Sequence, residues 1–344
     1  MARTLRLGQF ALFSFFLFTT SRIEAPVSNQ SSKSPGIPPL ALPEQRSIYA
    51  PVVRTADLPD GVLTMNSRSP HEMVVSMKFY DADGGSHDLP TVTLKAHEVK
   101  TVAIADLLPE DWKGREDLGG LLVEYLGQPN EVATQFTLLS RRTRGSVDET
   151  LRLVTEYKSQ RLEAAWYMPD GGRARVGIGN SSASEVRVVV VEYSGRSRDL
   201  TIAAHATKFL EIPRTRSGHD DSSFATLSIV AQADAGVVQA MGYVTDHEGG
   251  TRTIRFYDPA TMRSADLFAT NLPINNRQVR LVLRNIGTET ITAHPIFRSA
   301  TTGALFTDIQ PVQLLSGEAR VVDTTTLSAK ALNDPDFSSV SAQV

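Results

Sequence analysis

Short apolar segments separated by turn residues fill the stretch from Arg173 to Asp258 and constrain the fold more than any other feature of the sequence. Leu200, Ile202 and Ala204 alternate with other residues, which is the period-2 signature of a strand with one buried face. The predicted strands of this stretch are residues 175–179, 185–193, 199–204, 208–212, 225–231, 237–244 and 251–257. Turn residues lie between them and helical periodicity is almost lacking, so the stretch predicts antiparallel β-structure.

The same pattern recurs before and after this stretch. A strand closed by an asparagine occurs three times, at residues 62–66, 176–180 and 279–285, and the asparagines lie 114 and 105 residues apart. Residues 94–100 match residues 202–208 and, more loosely, residues 314–320. Apolar strands near a proline open the copies at residues 48–51, 165–169 and 268–273. A period near 105 residues is far longer than solenoid repeats, so each copy is predicted to be a domain of its own.

These landmarks predict an all-β chain of three tandem antiparallel β-sandwich (Ig-like) modules. Their predicted bounds are residues 47–160, 161–262 and 263–344. Helical turns are expected only at residues 105–108 and 325–332. Residues 337–344 align with residues 224–231, so the third module is predicted to lack about two final strands. Either the sequence is incomplete there, or an open sheet edge accepts a strand from another chain.

In architecture, residues 47–344 resemble the tandem immunoglobulin-like or fibronectin-type modules of exported bacterial proteins. The resemblance covers the pattern of short strands and turns, whereas the cysteine and tryptophan signature of true immunoglobulin domains is missing. It implies a sandwich fold, and such a fold by itself implies no function.

The N-terminal residues indicate export. Residues 1–21 combine Arg3 and Arg6 with an apolar run at 10–18 and small residues at 19–21, which predicts a signal peptide; an uncleaved anchor is the alternative. Residues 22–46 are rich in proline and serine and predict a semi-extended linker. The chain has no cysteine, which fits an oxidising compartment. A secreted, periplasmic or cell-surface location is therefore expected.

The sequence predicts no catalytic, metal-binding or cofactor-binding site. Residues 177–182 look like a dinucleotide loop, but a valine-rich strand follows them in place of the required helix. Residues 81–85 begin like a calcium loop but lack later ligands, so a hairpin connection is predicted. Residues 219–223 hold the residue types of a hydrolytic triad, yet neighbours in one loop cannot form its hydrogen-bonded line. The His-Glu pairs at 71–72, 97–98 and 247–248 lack a second histidine one helical turn on.

Several single residues have predicted roles. Asn66, Asn180 and Asn285 are expected to serve turns through side-chain hydrogen bonds to the backbone two residues on. His97 and His205 are expected at loop or edge positions. Trp166 is predicted to pack in the core. Trp112, which lies among charged residues, is the candidate ligand contact.

The favoured hypothesis is an exported, non-catalytic structural or adhesive protein that binds through sheet edges and loops. Its expected partners are a protein or a cell-surface polysaccharide. The formal charge of −3, spread along the chain, argues against nucleic acid, and contact with a membrane is expected only through an uncleaved signal. The alternatives are a carbohydrate-binding accessory protein and a hydrolase with an unrecognised site.

Deletion of residues 263–344 should leave the first two predicted modules folded, because each module is expected to bury its own core. The measurement is urea unfolding of the shortened chain, followed by tryptophan fluorescence and circular dichroism. Loss of a cooperative transition would contradict modular independence.

Overall fold

Antiparallel sheets make up nearly all the regular structure, which confirms the all-β prediction. The computed structural model describes residues 11–12, 43–52, 60–108, 110, 119–139, 146–168, 171–192, 195–212, 224–246, 251–261, 268–273, 279–322, 324–337 and 339–344. Two short helices, α1 (Ile104–Leu107) and α2 (Thr325–Asn333), lie where helical turns were predicted. Strand β1 (Ala11–Leu12) is the described part of the N-terminal segment; the rest of the predicted signal peptide and nearly all of the linker lie outside the described residues.

The first eight strands after β1 form two four-stranded sheets, here called the N-terminal sheet pair. They are β2 (Glu44–Val52), β3 (Asp60–Ser67), β4 (Met73–Tyr80), β5 (Ser86–Leu94), β6 (Val99–Ala103), β7 (Gly119–Gly127), β8 (Val132–Leu139) and β9 (Ser146–Leu151). The strand orders are β2-β7-β4-β5 and β6-β3-β8-β9. Strand β2 begins at Glu44, slightly before the predicted start at residue 47.

The next eight strands form the central sheet pair. They are β10 (Arg161–Tyr167), β11 (Arg173–Asn180), β12 (Val186–Glu192), β13 (Ser197–Ile202), β14 (Thr207–Ile212), β15 (Phe224–Ala231), β16 (Val238–Thr245) and β17 (Thr251–Ile254). The orders β10-β15-β12-β13 and β14-β11-β16-β17 repeat those of the N-terminal sheet pair strand for strand. In each sheet pair the first strand is hydrogen-bonded to the sixth: β2 to β7, and β10 to β15. In an immunoglobulin constant domain the first strand lies beside the second.

The remaining strands form the C-terminal sheets. They are β18 (Phe268–Pro273), β19 (Val279–Arg284), β20 (Ile291–Ala293), β21 (Ile296–Ser299), β22 (Leu305–Phe306), β23 (Val312–Leu314), β24 (Ala319–Val322) and β25 (Ser339–Gln343). One sheet has the order β18-β25-β21-β22, so β25 takes the place that β15 has in the central sheet pair. Strand β19 lies between β24 and β1, and β1 pairs with it in parallel. Strands β20 and β23 pair separately.

Each group of sheets encloses its own hydrophobic cluster. The cluster of the N-terminal sheet pair also contains Met241 and Tyr243, which come from β16 of the central sheet pair. The side chains on the outer face of β16 are therefore buried against the neighbouring sheets. The N-terminal and central sheet pairs are packed together across an apolar contact.

Asn180 and Asn285 hold equivalent turns with almost the same hydrogen bonds. The Asn180 Nδ2 donates to the carbonyl oxygens of Ser184, Ile202 and Ala203, at 2.7, 3.2 and 2.9 Å. Its Oδ1 accepts the backbone N–H of Ser182 at 2.9 Å, two residues on. The turn role predicted for this asparagine is confirmed.

Asn285 repeats this arrangement in the C-terminal sheets. Its Nδ2 donates to the carbonyl oxygens of Glu289, Leu314 and Leu315, and its Oδ1 accepts the N–H of Gly287. Its predicted turn role is confirmed as well.

Asn66 is not the counterpart of these two asparagines, and its predicted turn role is wrong. Asn66 pairs with Val99 on β6 and lies one residue before the position that corresponds to Asn180. The backbone N–H of Asn180 instead donates to Ala206, in the corner that follows β13. The backbone N–H of Ser67 donates to Glu98, just as the N–H of Asn180 donates to Ala206. Ser67 therefore occupies the equivalent place in the N-terminal sheet pair.

His97 and His205 lie in tight corners, as expected of loop positions. Their φ angles are 57° and 56°, in the left-handed region, and Gly317 has a φ of 72° at the matching corner of the C-terminal sheets. The residue that follows each of them bonds back to the carbonyl three residues earlier. These histidines therefore occupy a position set by turn geometry, which glycine fills in the third case.

Replacement of Asn180 by alanine should lower the free energy of unfolding by about 2–4 kcal/mol, because it removes the three hydrogen bonds of a buried amide group and leaves carbonyl oxygens unpaired. Asn66→Ala is the matched control and should cost about 1 kcal/mol or less, since Asn66 is only half-buried. Urea unfolding of both variants measures the difference. Equal losses would contradict the distinction between the two asparagines.

Candidate functional site

The most distinctive buried polar groups lie where one set of sheets meets the next. We call the contact between the N-terminal and central sheet pairs the first joint, defined by Tyr49, Gly179 and Thr207. The contact between the central sheet pair and the C-terminal sheets is the second joint, defined by Glu163 and Arg284.

Tyr49 is the centre of the first joint. It projects from β2 and is 1% exposed, and its hydroxyl group shares a hydrogen bond of 3.3 Å with that of Thr207. A Cβ atom on Gly179 would lie 2.6 Å from the Tyr49 ring, and one on Gly120 would lie 2.1 Å from its hydroxyl oxygen. Both glycines are therefore required for the ring to fit. Burial raises the pKa of Tyr49, and the Thr207 hydrogen bond partly opposes that rise.

The β4–β5 hairpin adds to the first joint. The Tyr80 and His205 rings stack with centroids 4.4 Å apart, and the backbone N–H of Thr207 donates to the carbonyl oxygen of Ala82 at 3.1 Å. Asp81 Oδ1 accepts the N–H groups of Asp83 and Gly85 at 2.9 and 2.7 Å. The hairpin predicted for residues 81–85 is confirmed, and this carboxylate oxygen is used to close the turn.

The second joint is centred on an ion pair. Arg284 Nη1 lies 2.5 Å from Oε2 of Glu163 and donates to the carbonyl oxygens of Ala164 and Leu227, both at 3.1 Å. Glu163 is 2% exposed, and its Oε1 also accepts from Ser228 Oγ at 2.8 Å and from Arg161 Nε. Loss of one partner from such a buried pair typically costs about 3–5 kcal/mol. Burial lowers the pKa of Arg284, and Glu163 opposes that shift.

Among the described residues, the half-buried Glu149 has the carboxyl group whose titration is most altered. It lies on β9 and pairs with Phe136. At the equivalent place in the central sheet pair, Ile254 on β17 pairs with Gly242. Its Oε2 is buried without a hydrogen-bond partner among the described residues. Burial raises the pKa of Glu149 to about 7, against the pull of Arg255 and Arg152. A carboxyl group here can exchange a proton near neutral pH.

The charge of Glu149 also acts on two tyrosines, Tyr157 and Tyr257. Burial raises the pKa of Tyr157 and of Tyr257, and in both cases the charge of Glu149 adds to the rise. Within the described residues, no group of three His, Cys, Asp or Glu side chains could hold a metal ion. No helix in that part of the chain is long and apolar enough to cross a membrane.

The predicted site residues fall into two sets. Trp112, residues 219–223 and residues 247–248 lie outside the described residues, so Trp112 stays a prediction. Trp166 is 1% exposed, which confirms its place in the core. Residues 177–182 end β11 and turn into β12, so the structural interpretation of that glycine pattern is confirmed.

Sequence reasoning missed the joints. Glu163 could have indicated the second joint, because it is the one charged residue in the apolar run Leu162-Glu163-Ala164-Ala165-Trp166. A charge in such a run indicates a buried partner. Tyr49 and Gly179 carried no comparable local signal.

The protein should lose stability as pH rises from about 4.5 to 7, because the folded state keeps a proton on Glu149 that the unfolded chain has released. This stabilising contribution is complete below the unfolded pKa and is lost through the folded pKa. Glu149→Gln should remove that part of the pH dependence, measured as urea midpoints at pH 5, 6, 7 and 8. Parallel curves for variant and parent would contradict the assignment.

No protein-family model matches the chain, and no curated protein matches it. Among solved structures, the chain is similar to a lectin from Pleurotus ostreatus in complex with GalNAc. The identity is 10%, the match covers 64% of this chain and 77% of the lectin chain, and the TM-score is 0.19. A likeness this weak supports no conclusion about fold or ligand, so the function has to be inferred from the residues of this chain.

Proposed function

We propose that this is an exported, non-catalytic structural or adhesive protein, built of three tandem β-sandwich modules at residues 47–160, 161–262 and 263–344. Residues 1–21 direct its export and residues 22–46 separate the folded part from what precedes it. It acts at the cell surface, in the periplasm or outside the cell.

The observation that carries this proposal is the burial of Tyr49 between the N-terminal and central sheet pairs. A protein that spaces or presents binding surfaces needs a fixed orientation between consecutive modules. Tandem domains joined only by linkers move relative to one another unless the interface is large and apolar. Met241 and Tyr243 supply apolar contact at this joint, and the Glu163–Arg284 pair supplies a charged contact at the next.

The proposed partners bind at sheet edges and loops. In the part of the chain that the structure describes, strand β19 pairs with β24 on one side and with two residues of β1 on the other. An edge with so short a cover accepts an added strand through backbone hydrogen bonds. The partner is another protein that supplies such a strand, or a polysaccharide of the cell surface that binds the loops.

Fractionation of the source cells tests the proposal. The protein should appear in the periplasmic, surface or extracellular fraction, and mass spectrometry should find an N-terminus near residue 22. Chemical crosslinking on intact cells, followed by affinity purification, should recover a surface partner. A cytosolic protein with residues 1–21 intact would contradict export, and hydrolysis of a polysaccharide by the purified chain would contradict the non-catalytic assignment.

A further inference from the structure

We infer that each joint is specified by one matched pair of residues, and that these pairs fix which sheets dock on which. The pairs are Tyr49 with Gly179 at the first joint and Glu163 with Arg284 at the second. This inference deepens the proposed function and rests on it, because it explains how a spacer of similar modules keeps its order.

Tyr49 and Glu163 occupy the same place in their sheets. Each lies between two core residues of the first strand: Ile48 and Ala50 flank Tyr49, and Leu162 and Ala164 flank Glu163. In both cases the first strand runs antiparallel to the sixth, β7 or β15. The residue between the two core positions therefore projects outwards, towards the sheets that follow.

Gly179 and Arg284 also occupy the same place. Each directly precedes the turn asparagine, Asn180 or Asn285, at the end of the second strand of its sheets. Both project towards the preceding sheets, since Gly179 faces Tyr49 and Arg284 faces Glu163. The two joints thus use one geometry with different side chains.

The mixed combinations do not fit. An arginine at position 179 would enter the space of the Tyr49 ring, which already lies within 2.6 Å of a Cβ atom placed there. A glutamate at position 49 would be buried opposite Gly179, which has no side chain to pair its charge. Size complementarity specifies the first joint and charge complementarity specifies the second.

The outer faces of the sheets support the same order. In the central sheet pair, Met241 and Tyr243 on β16 are buried against the N-terminal sheets. Gln239 pairs with Gly179 as Ala133 pairs with Asn66, which places Gln135 and Thr137 at the positions of Met241 and Tyr243. The N-terminal sheet pair thus has polar residues on the face that the central pair uses for docking.

A residue swap in the full chain tests this inference. Gly179→Arg alone and Tyr49→Glu alone should each lower the Tm by about 5 °C or more. The double variant recreates the pair of the second joint and should regain at least half of the summed loss, since residues in contact are coupled. Ser197→Arg, at an exposed position of β13, is the control for the added charge and should shift the Tm by less than about 2 °C.

A milder pair covers the case in which the arginine variant does not fold. Gly179→Ala should lower the Tm more in the parent protein than in a Tyr49→Leu background, where the ring is gone. Additive losses in either cycle would overturn the inference. Additive losses together with an export-compartment location would contradict this inference but not the proposed function. A cytosolic location together with coupled losses would contradict the proposed function but not this inference.

Discussion

The close fit of the Tyr49 ring between two stretches of backbone is the contact on which the arrangement of the sheets depends. An aromatic side chain that is almost completely buried loses its contact with water only if the neighbouring sheet approaches closely. Gly179 and Gly120 permit that approach because they present no side chain. At the same contact, Met241 and Tyr243 of the central sheet pair pack into the hydrophobic cluster of the N-terminal sheet pair, so the two sheet pairs share one apolar contact.

The corners of the sheets are held by a second recurring device. At Asn180 and Asn285, one side-chain amide satisfies carbonyl oxygens that the end of a strand would otherwise leave unpaired. Ser67 fills the same place in the N-terminal sheet pair, and its Oγ has no hydrogen-bond partner among the described residues. A hydroxyl group offers fewer bonds than an amide and cannot close the corner in the same way.

Local features of the structure followed from the sequence, and contacts between distant segments did not. Strands, hairpins and the two short helices were predictable because alternation and turn residues act over a few positions. The equivalence of Asn66 with Asn180 was wrong by one residue, which set Val62 and Thr64 against Val176 and Ile178; the buried counterparts in the structure are Leu63 and Met65. The role of Gly179 depends on Tyr49, 130 positions earlier in the chain, and no local pattern encodes that distance. The strand order likewise depends on pairings between remote segments.

The guanidinium group of Arg284 has a consequence for how this protein can vary. Two of its hydrogen bonds end on main-chain oxygens, those of Ala164 and Leu227, which every amino acid supplies. Mutation along β10 and β15 can replace side chains without deleting those acceptors. Apart from Glu163, the residues of β10 and β15 can therefore vary without loss of these two hydrogen bonds, whereas replacement of Arg284 removes both of them.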